Sequence, residues 1–276
     1  MIRYYADVHR RARNGEGLRI TYTTDGVTFR NADSFADIPA EHGDRVFVDT
    51  LPVQHTDGAI ELLRRGVEVY YLRRLTLLKK VREENKLPKS TRGDIKALMN
   101  IEERWFRRAS ADFLIMRRMI LTYRTMMKTR QQLFNKYKAL SESERNVLKP
   151  AIKSLEGQMD EVARMIVEET GKRYPAYNIL IRELGISDSL AGREALAELL
   201  VYADFVDSPL RGLKKLMGLY KSIRSSKREH WRLYDGKLHQ AASRLAIAYY
   251  RMTPNGRQCW ELVKQIKQLV TAQTPG

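Results

Sequence analysis

The spacing of apolar and polar positions changes along this chain, and each change predicts a different kind of element. Residues 2–6 are a short apolar run, and residues 18–23 alternate as Leu-Arg-Ile-Thr-Tyr-Thr, the two-residue period of a half-buried strand. Asp25-Gly26 is a turn signal, after which residues 27–30 are predicted to pair back as a hairpin. Residues 45–49 read as a buried strand, residues 58–66 as a short helix closed by Gly66, and residues 67–72 as the next strand. A strand, a helix and a strand joined by short connections predict a parallel, right-handed crossover. The reading for residues 1–100 is an α/β domain.

Beyond residue 94 the apolar period lengthens to three and four. Residues 101–140 hold no Gly or Pro and place Phe106, Phe113, Met116, Ile120, Tyr123 and Met127 at helical spacing. Ser141 and Glu144 have capping-box spacing, and a second helix is predicted over 142–170 with Ile152, Met159 and Ile166 on its apolar face. Two long helices with a tight reversal predict an antiparallel coiled-coil hairpin over residues 101–172. Shorter helices are expected at 178–184, 192–205, 209–220 and 238–252, and again after Pro254-Asn255-Gly256. They make residues 173–276 a helical domain, interrupted by a polar, basic loop at 221–237.

Composition narrows the partners. The 276 residues include 50 Lys and Arg against 33 Asp and Glu, a formal net charge of +17. An excess of this size points to a polyanion, and nucleic acid is the commonest. The cations are grouped. Arg73, Arg74, Lys79, Lys80, Arg82, Lys86 and Lys89 precede the long helices, and Arg107, Arg108, Arg117, Arg118 and Arg124 lie along the first of them. A second stripe, Lys221, Arg224, Lys227, Arg228 and Arg232, is interleaved with Tyr220 and Trp231, pairing cations for phosphate with rings for unpaired bases. The single cysteine, Cys259, excludes an intrachain disulfide and a cysteine-based zinc site. No apolar run is long enough to span a bilayer, and the first residues are too polar for a signal peptide, so no membrane partner and a cytoplasmic, nucleoid-associated setting are expected.

Three acids far apart in sequence stand where chemistry is expected. Asp7 closes the first strand, Asp49 closes a later one, and Asp94 opens a helix after Lys89-Ser90-Thr91-Arg92-Gly93. A ribonuclease-H-like fold gathers its metal ligands in this way, and hard oxygen donors suit Mg²⁺. Ser225 and Ser226 are candidate nucleophiles, with Arg224, Lys227 and Arg228 placed to offset developing charge. Each has a plainer alternative: Asp49 as a loop opener, Asp94 as a helix-terminus residue, and the serine loop as an inert phosphate contact.

On these residues the chain resembles the DEDD transposases of the group that includes Piv-type DNA invertases, described as RNA-guided recombinases. Tyr4-Tyr5-Ala6-Asp7-Val8 stands where the family's first acidic strand ends. Val48-Asp49-Thr50-Leu51 stands at its second acid, with Asp for Glu. Lys89, Ser90, Asp94 and Leu98 fit its third pattern, in which Thr91 replaces a further Asp. Arg182-Glu183-Leu184-Gly185-Ile186, Gly212-Leu213-Lys214-Lys215-Leu216 and the serine loop follow the order of its C-terminal part. The resemblance implies a ribonuclease-H-like (RuvC-like) N-terminal domain, a coiled-coil hairpin and a helical domain carrying the serine. It also implies Mg²⁺ or Mn²⁺ at Asp7, Asp49 and Asp94, DNA as substrate, a structured guide RNA and a homo-oligomer. The expected activity is DNA transposition or recombination. The alternative is a catalytically decayed or repurposed nucleic-acid-binding protein on the same scaffold, and a third class is a Mg²⁺-dependent nuclease with no serine step.

Overall fold

In the computed structural model the described residues are 1–10, 18–72, 75–219 and 235–273. They form an α/β protein with one mixed six-stranded sheet and are otherwise largely helical. Contacts divide the chain into two compact units, residues 1–118 and 119–276.

The first unit holds the sheet. Its strands are β1 (Arg3–Arg10), β2 (Leu18–Thr23), β3 (Arg30–Ala32), β4 (Arg45–Val48), β5 (Glu68–Leu72) and β6 (Phe106–Arg108), in the order β3-β2-β1-β4-β5-β6. β1 pairs antiparallel with β2 but parallel with β4, and β4 is parallel to β5, which agrees with a crossover through α1 (Thr56–Arg64). Gly66 ends that crossover helix at φ +80°, a conformation that favours glycine.

The hairpin strand begins later than expected. Asp25 accepts the N–H groups of Val27 and Thr28, each at 2.8 Å, so these residues belong to the turn and pairing starts at Tyr22 with Arg30. The long helix also starts later, at Ala111 rather than near 101. Residues 103–105 form a 3-10 turn, and Phe106–Arg108 adds the sixth strand, antiparallel to β5. The Phe106 ring is buried edge-on against Phe47, with centroids 5.1 Å apart. Burying that ring on the sheet outweighs the local helical period.

Two short helices cover one face of β1, β4 and β5. α2 (Leu75–Glu84) was not evident from the apolar spacing, whereas α3 (Thr91–Met99) begins where the motif placed it. Tyr5, Phe47 and Tyr70 stack across the three strands at 5.3 and 5.0 Å. Against this ladder pack Leu78 of α2, Ala97 and Leu98 of α3, and Ile101.

The second unit is helical: the C-terminal part of α4 (Ala111–Ala139), α5 (Glu142–Arg173), α6 (Ala176–Glu183), α7 (Leu190–Tyr202), α8 (Leu210–Leu216), α9 (Gly236–Tyr250) and α10 (Gly256–Gln273). The Ser141–Glu144 capping box opens α5 as its spacing predicted. The helix runs past Gly171 to Arg173, with the Tyr174 N–H still donating to Thr170 at 2.9 Å. Arg130 and Glu156 join α4 to α5 at 2.7 Å. α7 is the central element, packed on α5 and α9, and it carries Glu194 and Glu198, 0 % and 1 % exposed, among its apolar residues. Glu198 is paired with Arg124 of α4 and, at 2.9 Å, with Arg244 of α9, which also pairs with Glu194. Among the described residues no helix is long and apolar enough to cross a membrane.

Candidate metal centre

The sheet register brings the first two acids together. Ala6 of β1 lies opposite Val48 of β4, so the next step along the two parallel strands sets Asp7 beside Asp49. Side chains alternate along a strand, so both acids continue the row of Tyr5 and Phe47, on the face that α2 and α3 cover. Asp7 is buried at 7 % exposure, and Asp49 is half-buried.

The third acid arrives on α3. Ser90 caps that helix, its hydroxyl accepting the Gly93 N–H at 3.1 Å. Gly93 is needed by close approach, because a Cβ there would lie 2.0 Å from the Pro88 carbonyl oxygen. β1 does not end at Asp7 as expected but runs on to Arg10, because β2 pairs with it beyond the last β4 partner. The first turn of α3 sets Thr91 and Asp94 near Asp7 within β1 and Asp49 just after β4. The Thr91 hydroxyl hydrogen-bonds the Asp7 carboxylate, and the Asp94 charge acts on both Asp7 and Asp49.

The electrostatics follow from three acids in a shielded place. Burial pushes the Asp7 carboxyl up, against the pull of the Thr91 hydrogen bond, and Asp94 adds to the rise. Asp49 is pushed up to about 7, first by burial, then by Asp7, with a smaller push from Asp94. Asp94 itself is ion-paired with Arg82 of α2, and the two side chains are 21 % and 13 % exposed. Among the described residues no three His, Cys, Asp or Glu side chains stand grouped so as to hold a metal ion.

The remaining predicted residues fall into three sets. Lys79 and Lys80 lie on α2, more than two-thirds exposed, in pairs with Glu83 and Glu84 that are weak at such exposure. Lys89 is exposed just before the α3 cap. Arg117 and Arg118 are tied into the first unit: Arg117 donates to the Leu51 carbonyl, two residues beyond Asp49, and Arg118 pairs with Asp57 at 2.8 Å. Arg73, Arg74, Lys221, Arg224, Ser225, Ser226, Lys227, Arg228 and Arg232 lie outside the described residues.

Two contributors carried no recognisable signal in the sequence. Arg82 was one cation in a basic run; only its place four residues after Leu78, on the buried face of α2, marks it out. Arg117 read as a phosphate contact, yet it holds the loop that follows Asp49. No protein-family model matches the chain, and no curated protein matches it.

Proposed function

We propose that this protein is a DNA recombinase of the DEDD-transposase type, built on a ribonuclease-H-like N-terminal domain. Asp7, Asp49 and Asp94 would hold Mg²⁺ or Mn²⁺, and Ser225 or Ser226 would supply the nucleophile. The observation that carries this reading is the meeting of Asp7, Asp49 and the α3 N-terminus from three distant parts of the sequence. The donor chemistry suits the ion, though the three carboxylates are not grouped around one point while Asp94 pairs with Arg82: the donors are all oxygen, partly buried like charges whose mutual repulsion a hard cation relieves. When bound, such an ion polarises a scissile phosphate and offsets charge on the attacking and leaving oxygens.

The chain's own residues have separate tasks in this scheme. Asp7 and Asp49 present fixed oxygens from the sheet, and Arg117 steadies the loop after Asp49. Thr91 orients Asp7 through its hydroxyl but adds no negative charge. Lys79, Lys80, Lys89, Arg73, Arg74 and Arg118 in the first half, and Lys221, Arg224, Lys227, Arg228 and Arg232 near the serines, would hold DNA and a structured guide RNA by their phosphates. Each half of such a site is incomplete alone, so a homo-oligomer is part of the proposal.

A second reading has its own observation. Asp94 is already satisfied by Arg82, as in a structural ion pair, which suits a nucleic-acid-binding protein that has lost its metal. Crystals soaked in millimolar Mn²⁺ separate the two. Anomalous density between Asp7, Asp49 and Asp94 is the expected result. Its absence, with Arg82 still on Asp94, would favour the binding protein.

A further inference from the structure

Arg82 is the cation beside the acid cluster whose partner is one of the three acids, and the fold aims it there. Leu78, four residues earlier on α2, is 6 % exposed and packs in the cluster that includes Ala97 and Leu98 of α3. Residues four apart share a helix face, so the packing that buries Leu78 turns Arg82 toward α3. The outcome differs from that of its neighbours. Lys79 and Lys80 are 68 % and 69 % exposed and pair along their own helix, whereas Arg82 is 13 % exposed and reaches across to Asp94.

The backbone of Asp94 has little freedom to change this. Its N–H donates to the Ser90 carbonyl at 2.8 Å, the Ser90 hydroxyl caps the same turn, and Gly93 is pressed against the Pro88 carbonyl. Only the side chain can choose a direction. In one direction stands the Arg82 guanidinium. In the other stand Asp7 and Asp49, which the parallel register of β1 and β4 sets side by side.

We propose that Arg82 is the positioning residue of this centre: its guanidinium holds Asp94 while no metal is bound and competes with a divalent cation for that carboxylate. This rests on the metal-site reading above and adds the step that reading lacks. Two carboxylates from the sheet are in place, the third is held in reserve, and an incoming cation must take it from Arg82. A shielded guanidinium–carboxylate pair is a stronger competitor than a surface pair, because little water replaces it when it opens. A guanidinium grips a carboxylate with a planar fork and an ammonium does not, so lysine is a weaker competitor at the same place.

The test is Mn²⁺ binding by the full-length protein, followed by the electron paramagnetic resonance signal of free Mn²⁺. Arg82→Gln is expected to tighten Mn²⁺ binding roughly fivefold or more, the equivalent of losing one competing ion pair. Arg82→Lys should fall between it and the wild type, and it carries the test if the glutamine variant does not fold. In the Arg82→Gln/Asp94→Asn double variant the gain should disappear. A role confined to tying α2 to α3 predicts a lower melting temperature with unchanged Mn²⁺ affinity, and that result overturns the proposal. So does a gain that survives Asp94→Asn, which would mean simple charge repulsion. If neither folded wild type nor folded Arg82→Gln takes up Mn²⁺, the metal site itself is wrong and the assignment of Arg82 goes with it.

Discussion

His55, the residue before α1, is 7 % exposed and meets the Phe35 ring edge-on, centroids 5.7 Å apart. Among the described residues its buried Nε2 has no hydrogen-bond partner. Burial holds its pKa below the ordinary histidine value, because a proton there would be a cation without a counter-charge. The sign follows directly. Below about pH 6.5 the unfolded chain takes up the proton while the folded chain resists, so stability is complete above that pH and is lost as pH falls, at up to about 1.4 kcal/mol per unit. His55→Leu removes this linkage. Its melting temperature should fall less between pH 7.5 and pH 5.5 than that of the wild type, and equal falls in the two proteins would show that His55 carries no such load. At this scale the sequence was informative in an uneven way. Asp49 and Asp94 could be picked out because a strand end and a helix start are local features, whereas Asp7 ends only the apolar run, and β1 continues past it to Arg10 on its pairing with β2. Arg82, Arg117 and His55 could not, because their roles depend on which carboxylate, carbonyl or ring the fold sets against them.

Elements were legible where burial agreed with the local period. β2, β4, β5, α1 and the α5 cap all fall close to their predicted places, since each has one apolar face and a recognisable end, while β1 begins where expected but runs on to Arg10. β6 and α2 did not stand out. Phe106 has helical spacing with Phe113, and it becomes a strand residue only because β5 offers an edge and Phe47 offers a ring. The ten-residue α2 is too short for a period to show over its many Lys and Arg, whereas α8 lies inside the helix expected over 209–220. α7 hides something else: Glu194 and Glu198 interrupt a run of Ala and Leu and would be read as a solvent face. Instead they are the buried centre of an ionic network in which Arg244 lies over the Tyr123 ring and Arg124 over Tyr202. Burial pushes Glu194 up, with Arg244 pulling the other way. Removing one partner of a buried network strands the others. Glu198→Leu leaves Arg124 with no carboxylate and should cost roughly 3 kcal/mol in chemical denaturation. A change under about 0.5 kcal/mol would mean that water already replaces this pairing.

For the whole molecule the question is what function accounts for a +17 chain with an acid cluster in residues 1–118 and the Ser225-Ser226 pair in residues 119–276. The excess of positive charge predicts nucleic-acid binding under either reading, so binding cannot distinguish the proposed recombinase from a decayed relative. Separate changes at the two ends can. Asp7→Asn keeps the shape of the side chain, and an amide still accepts from Thr91 through its oxygen, so the fold should hold. It removes charge from the cluster, and Mg²⁺-dependent strand cutting should drop by two orders of magnitude or more, roughly the loss seen when one electrostatic group is taken from an active site. DNA affinity should change little, since the Lys and Arg proposed to meet phosphate are untouched. Ser225→Ala and Ser226→Ala probe the other end. If a serine is the nucleophile, one of these changes abolishes the covalent protein–DNA product, detected as a denaturation-resistant band on labelled DNA, while Mn²⁺ uptake at the acids is retained. A plain nuclease would give the opposite pattern: Asp7→Asn inactive, both serine variants fully active, and no covalent product at any stage. A decayed binding protein would show no strand cutting in any variant, with the salt-dependent affinity of the wild type intact in all three.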